Sequence, residues 1–316
     1  MINCVRTPRL EFELPDGLVV AATTSPNDPL LDEFFKSYDR AFILPSEKEE
    51  WNGFVECLKL NDGDEYSGLA TMWGPYREWV LLARSRDADH PVLGGANLIC
   101  YPLRTAGNSI LLSTHLNYLF IDPEQRGRGY FRRMIGACQE LVRRSFVPAP
   151  AAGVLQVVMF LEQNDPLKML PDEYERDSAH SGVDQVDRVR IWRRVGARIV
   201  DFPYVQPALS GEQLPDRGLM LSVIGINGLT LDGCLLNQHL ERFFAISVLK
   251  GRDPRSDLTA REQLVLSEDA CRANRPFSIL DPQSWLETLG GGPPYDLRDE
   301  FETGSLLTCL RAPREQ

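Results

Sequence analysis

Residues 119–131 of this chain read L-F-I-D-P-E-Q-R-G-R-G-Y-F. The apolar start, followed by a proline, predicts a strand that ends in a turn. Apolar residues then recur at helical spacing over 134–142, which predicts a helix directly after the two glycines. A helix that begins at glycines exposes unpaired N–H groups and a partial positive charge. The turn is therefore a candidate pyrophosphate site.

Two familiar phosphate-binding motifs do not fit this turn. The dinucleotide motif G-x-G-x-x-G needs a third glycine where this chain has Arg132, and the P-loop motif G-x-x-x-x-G-K-[ST] does not occur. Arg126 and Arg128 could add charge-assisted contacts to phosphate oxygens. The ligand class is therefore not decided by either motif.

The turn resembles the acetyl-coenzyme A signature of the GCN5-related N-acetyltransferases. In that family Arg/Gln-x-x-Gly-x-Gly/Ala follows a strand and a short proline turn. Arg126, Gly129 and Phe131 stand at these positions, and Phe131 departs from the family's small residue. Residues 191–198, I-W-R-R-V-G-A-R, resemble the family's F-Y-x-K-x-G-F, with Trp192 in place of the tyrosine. Two motifs in the right order identify the chain as similar to this family.

The predicted order of elements from Leu18 to Ile226 also matches the family. It is strand, helix, helix, three strands, helix, strand, helix and two strands. The resemblance implies an α/β fold with a mixed, mostly antiparallel central sheet of about seven strands flanked by helices. We expect an N-terminal extension at 1–17, an acyl-CoA-binding domain at 18–228 and a mostly helical C-terminal extension at 229–316.

Four other segments carry predictions of their own. A helix is expected to start near Ser46, and the polar stretch 61–68 is expected to be a loop. Residues 163–182 form a longer loop, which is a candidate lid or substrate loop. Strict alternation along the strand 110–121 places His115, Asn117 and Leu119 on one face and Tyr118 on the other.

The resemblance implies which residues hold acetyl-CoA. The family's cofactor strand splays from its neighbour, so the main chain of Leu119 and Ile121 is expected to contact pantetheine. Asn164 lies where the family often places an asparagine near the thioester, or it is a turn residue before Pro166. The pyrophosphate would be held by six consecutive residues: Arg126, Gly127, Arg128, Gly129, Tyr130 and Phe131.

Acyl transfer to an amine needs an uncharged nucleophile, a stabilised oxyanion and a proton for the departing thiolate. His115 matches a strand position where family members place a Glu or His base, but it could equally be hydrogen-bonded inside a sheet. Glu162, at the end of the next strand, is the rival base or a solvated residue. Trp192 takes the place of the family's frequent general acid, so Tyr118, Tyr204 or solvent would serve instead.

The sequence therefore predicts an N-acetyltransferase that moves an acetyl group from acetyl-CoA to a primary amine by direct attack in a ternary complex. The acceptor would be a small-molecule or peptide amine. Two alternatives stay open: a degenerate acyl-CoA-binding protein with a sensing or scaffold role, and a transferase that uses a longer acyl-CoA.

Composition limits the other classes of function. A net charge of −11 and a pI near 5.0 argue against nucleic-acid binding, and no apolar run is long enough to cross a membrane. Seven scattered cysteines and four histidines without metal spacing predict a reduced cytoplasmic protein without a metal. The helices expected in 229–316 would either cover the core or form the contact of a homodimer.

Overall fold

The computed structural model describes residues 3–45, 48–86, 91–105, 110–147 and 155–312. Within these ranges the chain forms a ten-stranded sheet with helices on both faces and a separate two-stranded sheet. The predicted start of a helix at Ser46 lies outside the described residues.

The strands and helices are numbered in chain order. The described strands are β1 (Asn3–Cys4), β2 (Arg9–Glu13), β3 (Leu18–Thr23), β4 (Arg77–Ser85), β5 (Val92–Arg104), β6 (Ile110–Ile121), β7 (Phe146–Val147), β8 (Val157–Asn164), β9 (Arg198–Val200), β10 (Leu219–Ile224), β11 (Thr230–Leu231) and β12 (Phe277–Leu280). The described α-helices are α1 (Pro29–Ala41), α2 (Trp51–Lys59), α3 (Gly63–Trp73), α4 (Tyr130–Arg144), α5 (Pro171–Ser181), α6 (Gln185–Arg194), α7 (Gly233–Phe243), α8 (Leu258–Arg272), α9 (Gln283–Thr288), α10 (Arg298–Thr303) and α11 (Leu306–Arg311). A π-helical turn, Phe244–Val248, continues α7.

The strand order in the large sheet is β11-β12-β9-β10-β8-β6-β5-β4-β3-β2. Neighbouring strands are antiparallel except for β6 and β8, which run parallel. The predicted fold class is thus confirmed, but the sheet has ten strands rather than seven. The extra strands β2, β11 and β12 have five residues or fewer, too short to give a clear alternating pattern.

Hydrophobic patterning and capping explain where the first elements begin. Strand β3 starts at Leu18, where the expected order of elements also starts, and α1 buries its apolar stripe against the sheet. The Asp28 carboxylate accepts a hydrogen bond from Leu30 N. Pro29 occupies the first helical position, where the missing N–H costs nothing because an N–H there has no acceptor within the helix. These local signals explain why α1 begins at Pro29.

Two predicted loops are partly helical. The stretch 61–68 runs into α3, and the long loop 163–182 contains α5. Helix α3 buries none of its residues and α5 buries only Asp177, so neither has the apolar stripe by which a helix is recognised. The remaining signal in α5 is Pro171 at its first position, followed by two acidic residues.

The helices form two layers. Helix α4 packs against one face of the sheet, where its buried residues Met134, Cys138 and Leu141 meet apolar side chains of β4, β5 and β6. Helices α1 and α2 cover the opposite face at β4. Helix α7, from the C-terminal segment, packs on β5, β8 and β10.

A disulfide joins Cys234 in α7 to Cys271 in α8. The expectation that the cysteines stay reduced is wrong for this pair. The two residues lie 37 positions apart, and only the packing of α7 against α8 brings them together. Among the residues that the structure describes, no helix combines the length and apolar character needed to span a membrane.

A buried carboxyl group stabilises an irregularity in the centre of the sheet. Tyr118 pairs with Asn97 and Leu116 with Leu98, so Asn117 is the extra residue of a β-bulge. The Asn117 amide donates to Glu78 Oε1 (3.0 Å) and to Asn97 Oδ1 (2.8 Å). The hydrogen bond to Glu78 therefore ties the bulged residue to β4.

Two further side chains donate to Glu78: Asn97 Nδ2 at 2.8 Å and Ser247 Oγ at 2.5 Å. Burial raises the pKa of Glu78 to about 7, because loss of hydration outweighs the hydrogen bonds, which lower it. The carboxyl group is therefore more readily protonated in the folded chain than in the unfolded chain.

Glu78 should make the chain less stable as the pH rises. Its pKa is higher in the folded state, so its contribution is fully present below about pH 4.5 and lost as the pH rises through about 7. The loss amounts to about 3 kcal/mol. We expect Glu78→Gln to flatten this part of the curve of unfolding free energy against pH, measured by urea denaturation.

The glutamine suits the site, since its oxygen can accept from both asparagines while its amide donates to Ser247. Glu56→Gln, at an exposed position of α2, is the matched control and should leave the slope unchanged. Equal slopes for wild type and Glu78→Gln would contradict the assignment.

Candidate active site

The parallel strands β6 and β8 pair only over part of their length. The ladder joins Leu112–Leu116 to Val157–Leu161 and then stops. Beyond it, β6 continues to Ile121 against β5, while β8 continues to Asn164 against β10. A cavity of about 360 Å³ opens at this fork and is lined by both strand ends.

The exposed edge of β6 presents main-chain groups to the cavity. Asp122 N donates to Leu93 O of the β5 side, and alternate residues of an antiparallel ladder turn their main-chain groups to opposite sides. Phe120 therefore faces β5, whereas the main chains of Leu119 and Ile121 face the opening. Both residues line the cavity, as does Asn164 on the other strand.

The glycine turn closes one end of the cavity. Gly127 and Gly129 adopt positive φ angles of 75° and 79°, and Gly129 is the N-cap of α4. Among the described residues, the backbone N–H groups of Gly127, Arg128 and Gly129 have no hydrogen-bond partner. These groups and the N-terminus of α4 form a concave set of donors suited to an anion.

The two arginines of the turn differ in position. Arg126 lines the cavity, where its side chain donates to the carbonyl oxygens of Ile121 and Ser181. Burial and the neighbouring Arg188 lower the pKa of Arg126. Arg128 does not line the cavity and donates to Gln125 Oε1 at 3.3 Å. Of the two side chains, only that of Arg126 faces the opening.

The two departures from the family motifs pack against each other. Phe131 and Trp192 form an edge-to-face pair with ring centroids 4.7 Å apart, and both line the cavity. The contact joins the first turn of α4 to α6. Each large residue thus fills space beside the other, and together they form an aromatic wall.

Helix α5 covers one side of the opening. Asp177 and Ser181 of α5 line the cavity together with Arg188 of α6, whose guanidinium lies 2.8 Å from Asp177 Oδ2. At the end of α5, His180 Nε2 contacts Arg40 O of α1 at 2.9 Å. Contacts at the end of α5 therefore reach both the glycine turn and α1.

The bulge at Asn117 changes which side chains share a face. Strict alternation predicted His115 and Leu119 together, with Tyr118 opposite. In the structure the extra residue reverses the alternation, so His115 and Tyr118 share the face covered by α1, α2 and α7. Leu119 faces α4 instead. The sequence contains no signal for the bulge.

Glu162 and His115 are brought close to each other. Glu162 lines the cavity, its side chain is 16% exposed, and Tyr204 donates a hydrogen bond to its Oε1. His115 is fully buried and does not line the cavity, but its Nε2 lies 3.8 Å from Glu162 Oε2. Of these two candidate bases, only Glu162 is in a position to touch a bound molecule.

Tyr118 lines the same cavity from the β6 side. Its ring packs edge-on against Tyr38 and Phe42. Burial raises the pKa of Tyr118 well above its ordinary value, and contacts with Tyr38 act in the same direction. The hydroxyl is therefore a neutral hydrogen-bond donor at physiological pH.

A smaller cavity of about 30 Å³ adjoins the large one behind Asn117, Tyr118 and Glu162, which line both. Asn117 Oδ1 is buried and has no hydrogen-bond partner among the described residues. The Asn117 amide nitrogen is already held by two acceptors, so the oxygen is left to accept from a ligand.

Sequence reasoning missed several residues of this site. Asn117 was assigned only to a face, and Glu78 was given no part in the site. Glu78 had one signal, since it is a charged residue directly before the apolar run 79–83 of β4. His239 of α7 contacts His115, and nothing in the local sequence indicates this.

No family model matches the chain, and no curated protein matches it either. Matches were found among solved structures. Arabidopsis thaliana NAA60 in complex with acetyl-CoA is 14% identical, with a TM-score of 0.35 over 66% of this chain and 99% of that one. The NatC complex bound to Gag peptide and CoA is 9% identical with a TM-score of 0.34, and the match covers 70% of this chain and 100% of that one.

A mutant of the AtaT toxin, bound to the C-terminus of the antitoxin AtaR and acetyl-CoA, is 13% identical with a TM-score of 0.25. The match covers 65% of this chain and 92% of that one. These identities and TM-scores are low, so the function must be argued from the residues of this chain. The fold itself is the mixed, mostly antiparallel sheet flanked by helices that the resemblance implies.

Proposed function

We propose that this protein is an acyl-CoA-dependent N-acyltransferase that transfers an acetyl group from acetyl-CoA to a primary amine in a ternary complex. The observation that carries the proposal is the fork between β6 and β8, with unpaired turn amides at one end and a carboxylate in its wall. An opening between two strands suits an extended thioester arm, and the amides suit its diphosphate.

The chain offers two kinds of contact to acetyl-CoA. The free N–H groups of 127–129 and the start of α4 would hold the pyrophosphate, with Arg126 beside them and Tyr130 and Phe131 forming the rest of the wall. The main chains of Leu119 and Ile121, together with Asn164, would hold the pantetheine arm. The co-substrate supplies the activated acyl group, and the protein supplies its orientation.

The polarity of the cavity favours a cationic acceptor. Arg126 and Arg188 lie at the end near the turn, whereas Glu162 and the free oxygen of Asn117 lie at the other end. A primary ammonium could donate to both of these acceptors. The adjoining cavity is small, so it would take little more than the amino group, and the rest of a small-molecule or peptide amine would extend through the larger opening.

In the proposed reaction Glu162 accepts a proton from the bound ammonium. The free amine attacks the thioester carbonyl, forming the C–N bond. When the C–S bond breaks, the second nitrogen proton leaves and the thiolate is protonated, so that one proton is released overall. The Tyr118 hydroxyl is proposed to donate a hydrogen bond to the departing sulfur, while a free thiol pKa near 8.5 makes the thiolate a fair leaving group.

The other expectations from the sequence stand as proposals. We expect no binding of nucleic acid, and we expect a homodimer formed through residues 229–316, the mostly helical C-terminal extension. A cytoplasmic location is also proposed, although the Cys234–Cys271 disulfide is of a kind that is rare in reducing compartments.

Gly129→Ala should weaken CoA binding about tenfold. The added Cβ meets no atom within 4 Å, so the change acts only through the positive φ of 79°, at which alanine is strained by about 1–2 kcal/mol. Relaxation of that strain would turn the free amides away from the pyrophosphate. Titration calorimetry with CoA measures the affinity.

Gly136→Ala is the matched control, because Gly136 lies within α4, has no positive φ and also has open space at its Cβ. This variant should bind CoA like the wild type and unfold at a slightly higher temperature. Equal affinity of Gly129→Ala and the wild type would place the diphosphate elsewhere.

Glu162→Gln should lower kcat by about 10²–10⁴, because the amide cannot take a proton. The affinity for CoA should hardly change, since Glu162 lies at the acceptor end of the cavity. Release of free thiol from acetyl-CoA across a panel of primary amines measures turnover. Glu262→Gln, at an exposed position of α8, serves as the control.

The same assay separates the alternatives left open by the sequence. Binding of CoA without turnover of any amine would favour a sensing or scaffold protein. Turnover only with longer acyl-CoA thioesters would change the donor while keeping the mechanism. Full activity of Glu162→Gln would remove Glu162 from the role of base.

A further inference from the structure

Two histidines form a buried contact directly behind Glu162. His115 Nδ1 lies 3.1 Å from His239 Nε2, and both side chains are fully buried. His239 belongs to α7, 124 residues along the chain from His115. The contact therefore links the C-terminal segment to the wall of the cavity.

Neighbouring aromatic rings hold the two imidazoles in place. Phe243 stacks on His115 with ring centroids 3.5 Å apart, and Phe160 stacks on His239 at 3.8 Å. Burial lowers the pKa of His239 well below its usual range, and His115 and Arg242 act in the same direction. His239 is thus a neutral imidazole, which can donate from only one nitrogen.

The carboxylate decides which nitrogens carry hydrogen. His115 Nε2 makes no hydrogen bond among the described residues, but it faces Glu162 Oε2 at 3.8 Å. An ionised carboxylate attracts an N–H and repels a lone pair, so the N–H form of Nε2 is favoured. His115 Nδ1 then carries no hydrogen and can only accept, so His239 Nε2 must donate to it. His239 Nδ1 is left as an acceptor for Ser113 Oγ at 2.9 Å, because the Tyr101 hydroxyl, also 2.9 Å away, donates its one hydrogen to the His239 carbonyl oxygen.

We propose that His239 is a positioning residue for this site: its Nε2–H holds His115 in the tautomer that presents Nε2–H to the Glu162 carboxylate. The catalytic consequence rests on the proposed function, in which Glu162 is the base. His239 touches neither cavity, so it acts only through His115.

Several other titratable or charged groups lie around the Glu162–His115–His239 contacts and can affect their pH dependence. They are Glu78 of β4, Tyr101 of β5, Tyr204 after β9 and Arg242 of α7. Arg242 donates to two main-chain carbonyls, those of Trp73 and Gln238.

The tautomers can be tested without any activity. The chain has four histidines, so correlation spectra of protein labelled with ¹⁵N at histidine can be assigned by single substitutions. We expect hydrogen on Nε2 of both His115 and His239. Hydrogen on Nδ1 of His115 would overturn the proposal, whether or not the protein proves to be an enzyme.

The effect on the reaction is tested with a pair of variants. His239→Leu removes the donor, so His115 can turn a lone pair toward the carboxylate, whose charged form is then disfavoured. We expect kcat to fall about tenfold and the acid limb of the pH–rate profile to move up by about one pH unit. His239→Gln keeps an N–H donor in a similar place and should restore both.

Leu240→Met, a volume-conserving change at a buried neighbour in α7, is the packing control and should leave the acid limb in place. In a His115→Leu background, His239→Leu should cause no further loss of kcat, because His239 acts only through His115. An unmoved acid limb in His239→Leu, or a glutamine variant no better than leucine, would show a merely structural role.

Discussion

The fork between β6 and β8 is the constraint on which the rest of the site depends. Parallel pairing ends at Leu116 and Leu161, and the cavity begins there. The bulge at Asn117 bends β6 at this point, and Glu78 holds the bulge from within the core. A buried carboxyl group is costly unless it is well hydrogen-bonded, and here three donors meet it. The fork from which the cavity opens is thus built into the core of the sheet.

The same bulge determines the chemistry of the opening. It reverses the alternation of side chains, so the main chain of Leu119 faces the gap while Tyr118 and His115 lie on the side of Glu162. Among the described residues it also leaves Asn117 Oδ1 without a hydrogen-bond partner, at the junction of the two cavities. One inserted residue therefore supplies an open strand edge, a free acceptor and a row of polar side chains behind the carboxylate.

The C-terminal segment is part of this architecture. Its strand β12 pairs with β9, and α7 packs on the central strands with His239 against His115 and Ser247 against Glu78. The departures from the family motif are likewise paired, since Phe131 fills the space beside Trp192. Both cases show large or polar residues that look out of place in the sequence and are matched by a distant partner in the fold.

The sequence by itself determined the fold class, the glycine turn, the principal helices and the long strand 110–121. The turn, the helices and the strand rest on local signals, namely periodicity, a proline turn, caps and glycines, whereas the fold class rests on the resemblance to a known family. Only the tertiary structure decided the number of strands, the helix α5, the bulge, the disulfide and the contact between His115 and His239. A bulge leaves the pattern of residue types almost unchanged, and a pair of histidines 124 residues apart carries no local signature. Their meeting depends on how α7 packs on the sheet, which is a property of the whole core.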